Sequence, residues 1–469
     1  MSVPSELTVP QGLDVGPRVL RSLLAEHLST FLEQVEESDE DHRVPGFVLR
    51  ALESMTSCSD FTKGFLRLEC TECKAAHILP LSCRSRLCPS CTGRTMSERA
   101  AFLVDRALPR VPFRQWVLTF PGELARHLAF DPELAAAVIR VFVRVLFEWQ
   151  GRRAARAHSD SSRPLPAAMV WIQRFSDGAG LYFHLHTLVP DGVFVEREGT
   201  LSVDFLPLPA PSQADITALV QRVAERLHGL IARCLARYAA APVPSHKRSQ
   251  AEFLQRCAQS MAQRIREPLG PALASVGVAR PKRPLCARHA GFELHAAVRI
   301  RADDREGLER LCRYLGRPAL ALRRLRRLPD GRIELRLKRT WRGGVRKLVF
   351  EPSAFIARLC ALVPPPRFHM VRAFGVFSNA SPYRPYILPE PPGESAAVPT
   401  APLRPARMGW ADLMKRVFQR DVTACPCGGR LRIIAAILKP DLIEAISAAI
   451  LLSEQGRARP PPPPAMSPS

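Results

Sequence analysis

No apolar run in the 469 residues approaches the roughly 20 that a membrane-crossing helix needs. The N-terminus also lacks a basic segment followed by an apolar one. These absences argue against a membrane span and a secretory signal, so a cytoplasmic protein is expected. No repeat of 20–50 residues recurs, which excludes solenoids and propellers. Lysine is scarce: only 8 of the 67 basic residues are lysine, and the remaining 59 are arginine. Arginine's planar fork suits bidentate phosphate contacts, and a net charge of +23 calls for a polyanionic partner, although a GC-rich genome is another source of arginine. With 46% hydrophobic and 24% charged residues, the chain is long enough for two or three domains and a sizeable core.

Cysteine is not scarce. Of thirteen, five crowd into residues 70–91: Cys70-x2-Cys73, Cys83, and Cys88-x2-Cys91. In a reducing compartment such spacing points to zinc rather than disulfides. The two pairs resemble zinc ribbons and knuckles, in which each pair supplies a tight turn and the metal closes the loop. Cys70, Cys73, Cys88 and Cys91 are the expected ligands of one structural Zn²⁺, with Cys83 as substitute. The alternative is that some are small buried hydrophobes. Lys74, Arg84, Arg86, Arg94 and Arg99 flank the module and would make it a DNA-gripping surface. A closed four-thiolate site has no open position and is not catalytic.

Apolar spacing predicts two helices in 17–56, a helix over 95–107, a strand over 113–120 and a helix over 131–157. Residues 168–175 and 181–189 read as an antiparallel pair joined by the turn-rich 176–180. Helices near 213–240 and over 304–316, a helix and loop in 246–290, a strand over 292–301 and a basic hairpin over 332–350 follow. Prolines recur beyond 363. The expected organisation is an N-terminal helical segment (1–60), a zinc module (61–108), a central domain (109–362), a proline-rich linker (363–405), a small, helical C-terminal module (406–452) and a disordered tail (453–469).

Two further groups carry chemistry. In a strand, residues two apart share a face, so His184 and His186 project together, opposite Phe183, Leu185 and Thr187. Paired imidazoles can hold one divalent ion and leave positions for phosphate oxygens, although packed histidines show the same pattern. Tyr314 lies on a helix opened by a capping-box-like Asp303-x-x-Glu306, striped by Leu308, Leu311 and Leu315, and ended by Gly316 and Pro318. It sits one turn from Arg310 and Arg317, where a hydroxyl can meet a phosphate. Attack would need cationic neighbours or a metal to stabilise developing charge. A core tyrosine with its tip in water is the alternative.

Taken in order, the strand Gln115-Trp116-Val117-Leu118-Thr119-Phe120-Pro121, then His184-Leu185-His186, then Tyr314 resemble the three motifs of rolling-circle HUH endonucleases. Further features resemble transposases of the insertion sequence 91 and common-region type over roughly residues 60–440. They are the zinc knuckle, Ile172-Gln173-Arg174-Phe175, Asp191-Gly192-Val193, Arg313-Tyr314-x-x-Arg317-Pro318, Leu337-Lys338-Arg339 and Cys425-Pro426-Cys427-Gly428-Gly429. The resemblance implies an α+β chain with a ferredoxin-like HUH core, an antiparallel sheet carrying the histidines on its central strand with the tyrosine helix beside it. It implies a bacterial, nucleoid-associated enzyme in which Mg²⁺ or Mn²⁺, held by His184, His186 and Gln173, polarises a phosphate. Tyr314 would attack to leave a 5′-phosphotyrosine. Arg84, Arg86, Arg94, Arg310, Arg313, Arg317, Lys338 and Arg339 would grip single-stranded or hairpin DNA ends. No membrane partner is implied, and self-association is left open.

Two-tyrosine members place their tyrosines four apart, and Arg310 stands four before Tyr314, so this chain resembles the single-tyrosine branch. Cys425 and Cys427 read as a plain turn, with a second zinc site as the alternative. A plasmid replication initiator or relaxase would share the chemistry. A non-catalytic zinc DNA-binding protein, such as a decayed transposase, would share the charge.

Overall fold

The computed structural model describes residues 7–8, 16–38, 43–157, 163–197, 202–240, 283–341, 344–389, 409–418 and 421–446. Most of the basic stretch 246–290, much of the expected linker and the proline-rich tail lie outside the described residues.

The N-terminal part comprises β1 (Leu7–Thr8), α1 (Gly16–Ser38), α2 (Gly46–Thr56), β2 (Phe65–Cys70), β3 (Ala76–Pro80) and α3 (Pro89–Phe102), which runs into a π turn at Leu103–Ala107. Next come β4 (Phe113–Thr119), α4 (Gly122–Phe130), α5 (Pro132–Ala157), β5 (Pro164–Leu165), β6 (Ala167–Phe175), β7 (Leu181–Pro190), β8 (Gly192–Glu196), β9 (Val203–Pro207) and α6 (Gln213–Ala240). The later elements are β10 (Cys286–His289), β11 (Phe292–Ile300), α7 (Arg305–Leu315), β12 (Leu325–Arg327), β13 (Ile333–Arg336), β14 (Lys347–Phe350), α8 (Pro352–Leu362), β15 (Val371–Gly375), α9 (Trp410–Phe418) and β16 (Leu431–Ile437). The chain is α+β.

Six strands form one antiparallel sheet in the order β10-β11-β4-β7-β6-β15. Because side chains alternate along a strand, this sheet feeds two cores. Trp116, Leu118, Val170, Ile172, Phe183 and Leu185 pack one face against α4, α5 and α6. Phe113, Met169, Trp171 and Leu188 pack the other against α3, its π turn and α7. Both faces are covered, which is why β6 reads Ala-Ala-Met-Val-Trp-Ile with almost no polar interruption.

The chain holds α7 on that second face through Leu308, Leu311, Cys312 and Leu315, all buried. Burying each leucine contributes about 1.5–3 kcal/mol. The helix is capped by Asp304, whose carboxylate accepts from the Gly307 N–H at 2.7 Å. Asp303, the expected cap, pairs instead with Arg301 at 2.9 Å. Gly307 permits the cap: a Cβ there would lie 2.1 Å from the Asp304 carboxylate.

Three other expectations shift. The helix after the second cysteine pair begins at Pro89, because proline suits the first helical position and Cys88 precedes it in an extended conformation. Within the expected linker, β15 adds an edge strand to β6. The C-terminal module is not purely helical, since β16 joins a four-stranded sheet in the order β1-β3-β2-β16. A third core, built by α1, α2 and α8, carries the three-stranded sheet β12-β13-β14, the expected basic hairpin with one more strand.

Candidate active site and metal centres

On the central strand β7, His184 and His186 lie on the α7 face, with ring centroids 4.9 Å apart. His184 stands directly across from Thr119 and Gln173, and His186 from Val117 and Trp171. Both rings are buried. Burial, reinforced by the nearby Arg317 cation, pushes His184 down to about 4. Burial, then His184 and Arg317, pushes His186 down to about 2. At neutral pH both are uncharged and keep a lone pair. His184 donates from Nδ1 to the Tyr182 carbonyl at 3.0 Å, which leaves Nε2 as the acceptor. His186 Nδ1 is 2.7 Å from the Gln115 side-chain amide, while its Nε2 is buried without a partner. The atom of Gln115 that faces Nδ1 is its amide nitrogen; exchanging the nitrogen and oxygen ends of that amide, which leaves its shape unchanged, puts the proton on Nδ1 and the lone pair of His186 on Nε2. An orphaned buried nitrogen beside a second imidazole, held by a hydrogen bond at the other ring nitrogen, fits a divalent ion.

Tyr314 lies edge-on to the His186 ring, with centroids 5.8 Å apart and planes at 84°. It is 45% exposed, so a phosphate can reach its hydroxyl. The Arg317 guanidinium covers its ring at 4.7 Å from the centroid. Gln173 ties this helix end to the sheet. Its amide nitrogen donates to the carbonyls of Tyr314 at 3.2 Å and Leu315 at 2.9 Å, and its oxygen accepts from Arg317 at 3.4 Å.

A second set of cations approaches from the basic sheet. The Lys338 ammonium is held below its usual range by burial and by Arg317 and Arg324 nearby. Asp177, on the turn into β7, accepts from the Lys338 backbone N–H on its carboxylate and from Arg324 on its backbone carbonyl, each at 2.7 Å, and its carboxylate also pairs with Arg324. The Trp341 ring lies so close to Gly178 that a Cβ there would meet it at 2.7 Å. The basic sheet is thus docked on the turn that starts the histidine strand.

The cysteines form two clusters, and the expected ligand set is divided between them. Cys58, Cys83, Cys88 and Cys91 converge, with sulfurs 3.5 Å (58–88), 3.8 Å (58–91) and 3.6 Å (83–91) apart. Cys70 and Cys73 instead meet Cys425 and Cys427. The division has a local cause. Cys70 ends β2 and turns with Cys73 away from the start of α3, where Cys88 and Cys91 face the end of α2 and Cys58. Cys83 is a full member of its cluster rather than a substitute, and Cys425 and Cys427 are more than a plain turn.

Residues 24–120 match the family model described as "Transposase zinc-binding domain", and residues 168–384 match that described as "Putative transposase". The first stretch contains the whole Cys58 cluster, and the second contains His184, His186 and Tyr314. The chain belongs to the insertion sequence 91 family of transposases. No curated protein and no solved structure matches it. The transposase carries an N-terminal zinc-binding domain, acts on DNA, and among the described residues has no helix long and apolar enough to cross a membrane.

The transposase distributes its expected DNA-contacting cations unevenly. Arg317 covers the tyrosine ring, Lys338 lies near Arg317, and Arg339 is exposed beside the basic sheet. Arg313 is half-buried and Arg84 exposed. Arg310 faces Glu306 at 3.6 Å and Asp304 at 4.0 Å. Arg94 faces Glu98 at 3.6 Å. Arg86 donates to the Phe368 carbonyl at 2.9 Å, which engages it in fastening the zinc module to the rest of the chain.

Three residues of these sites escaped the sequence reading. Gln115 shares the face of Val117 and Thr119, so strand alternation from the histidine partners would have found it. Cys58 stands alone at a helix end, and Asp177 resembles any turn aspartate.

Proposed function

We propose that this transposase nicks and rejoins single-stranded DNA at element ends by rolling-circle chemistry, with Tyr314 as nucleophile in a ferredoxin-like HUH core. The observation that carries the reading is the exposed Tyr314 ring set edge-on against His186, whose Nε2 is buried and unpartnered. The order of the sheet supports it, since β7 is an inner strand with β4 and β6 on either side and α7 packs across the face that bears the histidines.

His184 and His186 would hold a divalent ion, Mg²⁺ or Mn²⁺, which when bound polarises the scissile phosphate. Gln173 faces the same spot and has a lone pair on its oxygen beyond the one shared with Arg317. The chain's own residues do the rest. Gln173 and the buried leucines fix α7, Arg317 orients the phenol and offers positive charge to the phosphate, and Lys338 adds a second cation. The Tyr314 oxygen forms a bond to phosphorus as the bond from phosphorus to the 3′-oxygen breaks. The phenol proton passes to solvent and the 3′-oxygen takes one up, which leaves a 5′-phosphotyrosine and a free 3′-OH. Reversal by another 3′-OH rejoins the strand.

The test is denaturing electrophoresis after incubation with a labelled single-stranded end oligonucleotide. The wild type should form a covalent adduct, and Tyr314→Phe should form none while binding DNA within a few-fold. An adduct that persists in the variant moves the role to another tyrosine, Tyr182 first, since its ring lies 5.2 Å from His184. No adduct from the wild type favours a non-catalytic DNA-binding protein.

A further inference from the structure

Cys70, Cys73, Cys425 and Cys427 lie outside the catalytic geometry, and half of this cluster falls beyond both family matches. We propose that these four thiolates bind a second Zn²⁺, which clamps the C-terminal strand β16 onto the N-terminal zinc-binding domain.

The sulfur positions fit a metal. Zinc–thiolate bonds of about 2.3 Å in a tetrahedron set sulfurs about 3.8 Å apart. Here Cys70 and Cys427 are 3.5 Å apart, and Cys73 and Cys425 are 3.7 Å apart. A disulfide needs about 2.05 Å. The backbone is shaped for the same purpose. The Gly429 N–H donates to the Cys427 sulfur at 3.4 Å, as the Ser85 N–H does to Cys83 in the other cluster. Such outer contacts stabilise the thiolate and orient it. Gly428 takes a φ of +90°, and a Cβ on Gly429 would come within 2.7 Å of the Cys70 sulfur. The Gly-Gly step after the cysteine pair therefore bends the chain and lets it approach. His77 stands 3.7 Å from the Cys425 sulfur and closes the buried side.

The metal has work to do because packing there is thin. Among the described residues, β16 pairs with β2 from Leu431↔Cys70 to Ile437↔Phe65, yet Ile433 and Ile434 remain exposed, and only a small cluster of Phe65, Ile78 and Ile443 is buried beside it. The Cys58 cluster, by contrast, is embedded in the large core of α1, α2 and α8. Cys73 and Cys427 are exposed, so the second ion is the more accessible to chelators. Binding joins residues 352 apart in sequence, and metal binding free energy then holds the C-terminal strand in place.

The experiment is native mass spectrometry of the full-length protein, purified without chelator, during stepwise addition of a zinc chelator, with N-ethylmaleimide labelling and peptide mapping at each step. Two zinc ions per chain are expected, lost one after the other. At the one-zinc stage, label should enter Cys70, Cys73, Cys425 and Cys427, and trypsin should begin to cut between 419 and 446. Cys425→Ser/Cys427→Ser should hold one zinc and still form the tyrosine adduct. One zinc in the wild type, two in the double variant, or first labelling at Cys58, Cys83, Cys88 and Cys91 would overturn the proposal. So would disulfide-linked peptides among the four cysteines. Adduct formation is read separately, so failure of the catalytic reading leaves the zinc count unaffected.

Discussion

Gln173 is where the bonding in the structure makes the sharpest demand on the chemistry. It is fully buried, and among the described residues its amide nitrogen supplies the only hydrogen bond to the Leu315 carbonyl. The Tyr314 carbonyl also accepts from the Arg317 N–H, at 3.4 Å, and so is less dependent on it. Gln173→Met keeps the volume and removes the donor. An unmet buried carbonyl costs about 1–3 kcal/mol and a shared bond about 0.5–1.5 kcal/mol, so the end of α7 should lose about 2–4 kcal/mol of anchoring. If part of that energy holds Tyr314 in line with the phosphate, the single-turnover rate of adduct formation should fall at least tenfold, since each 1.36 kcal/mol is one decade. Gln173→Glu is the discriminating variant. A glutamate keeps an oxygen for the metal but cannot, when ionised, donate to Leu315. If the donor function dominates, Gln173→Glu is as slow as Gln173→Met, and hydrogen exchange at 314–317 quickens in both. A glutamate variant near wild-type rate beside an inactive methionine variant would refute the anchoring argument and make the oxygen a metal ligand.

The histidine pair gives two further expectations. His184→Ala or His186→Ala should abolish nicking, and EDTA should do the same to the wild type until Mg²⁺ or Mn²⁺ is restored; undiminished nicking in chelator would sink the metal assignment. Both rings are kept neutral by burial, with folded values of about 4 and about 2 against an ordinary value of 6.5. Below pH 6.5 the unfolded chain takes up protons that the folded one does not, so these groups make stability fall as pH drops from 6.5 toward 4. In chelator, the urea midpoint of the wild type should fall more between pH 7 and pH 5 than that of a His184→Asn/His186→Asn variant. Cys58→Ser should lower soluble yield and zinc content as severely as Cys88→Ser, and normal yield and zinc would remove Cys58 from the cluster. DNA affinity should fall steeply with salt, by about 0.7 in the log–log slope for each single-strand phosphate neutralised, and a flat response or a preference for duplex would count against single-strand chemistry.

The central sheet was legible because its signal is local. Alternation in 181–189 assigns His184 and His186 to one face, and the stripe of Leu308, Leu311 and Leu315 says which side of α7 is buried. Arg310 at the position four before Tyr314 was equally readable. The oxygen of Gln173 is readable as a candidate ligand from its place on the strand beside His184, but the bonds of its nitrogen are not, because the carbonyls it meets belong to a helix 141 residues away. No periodicity encodes such a partner.

The cysteines show the same limit more sharply. Spacing of two residues says that Cys70 and Cys73 turn together and that Cys88 and Cys91 do, but a tetrahedral site needs two such edges and spacing does not say which edges meet. That choice is made by sheet pairing. β16 places Leu431 opposite Cys70, which brings the Cys425-Pro426-Cys427 turn to the end of β2, while α2 delivers Cys58 to the start of α3. Proximity in sequence favours one cluster within 70–91; the register of a strand arriving from the far end of the chain makes two clusters. The fifth cysteine of the crowded segment, expected only as a substitute, joins Cys58, Cys88 and Cys91, while Cys70 and Cys73 meet Cys425 and Cys427.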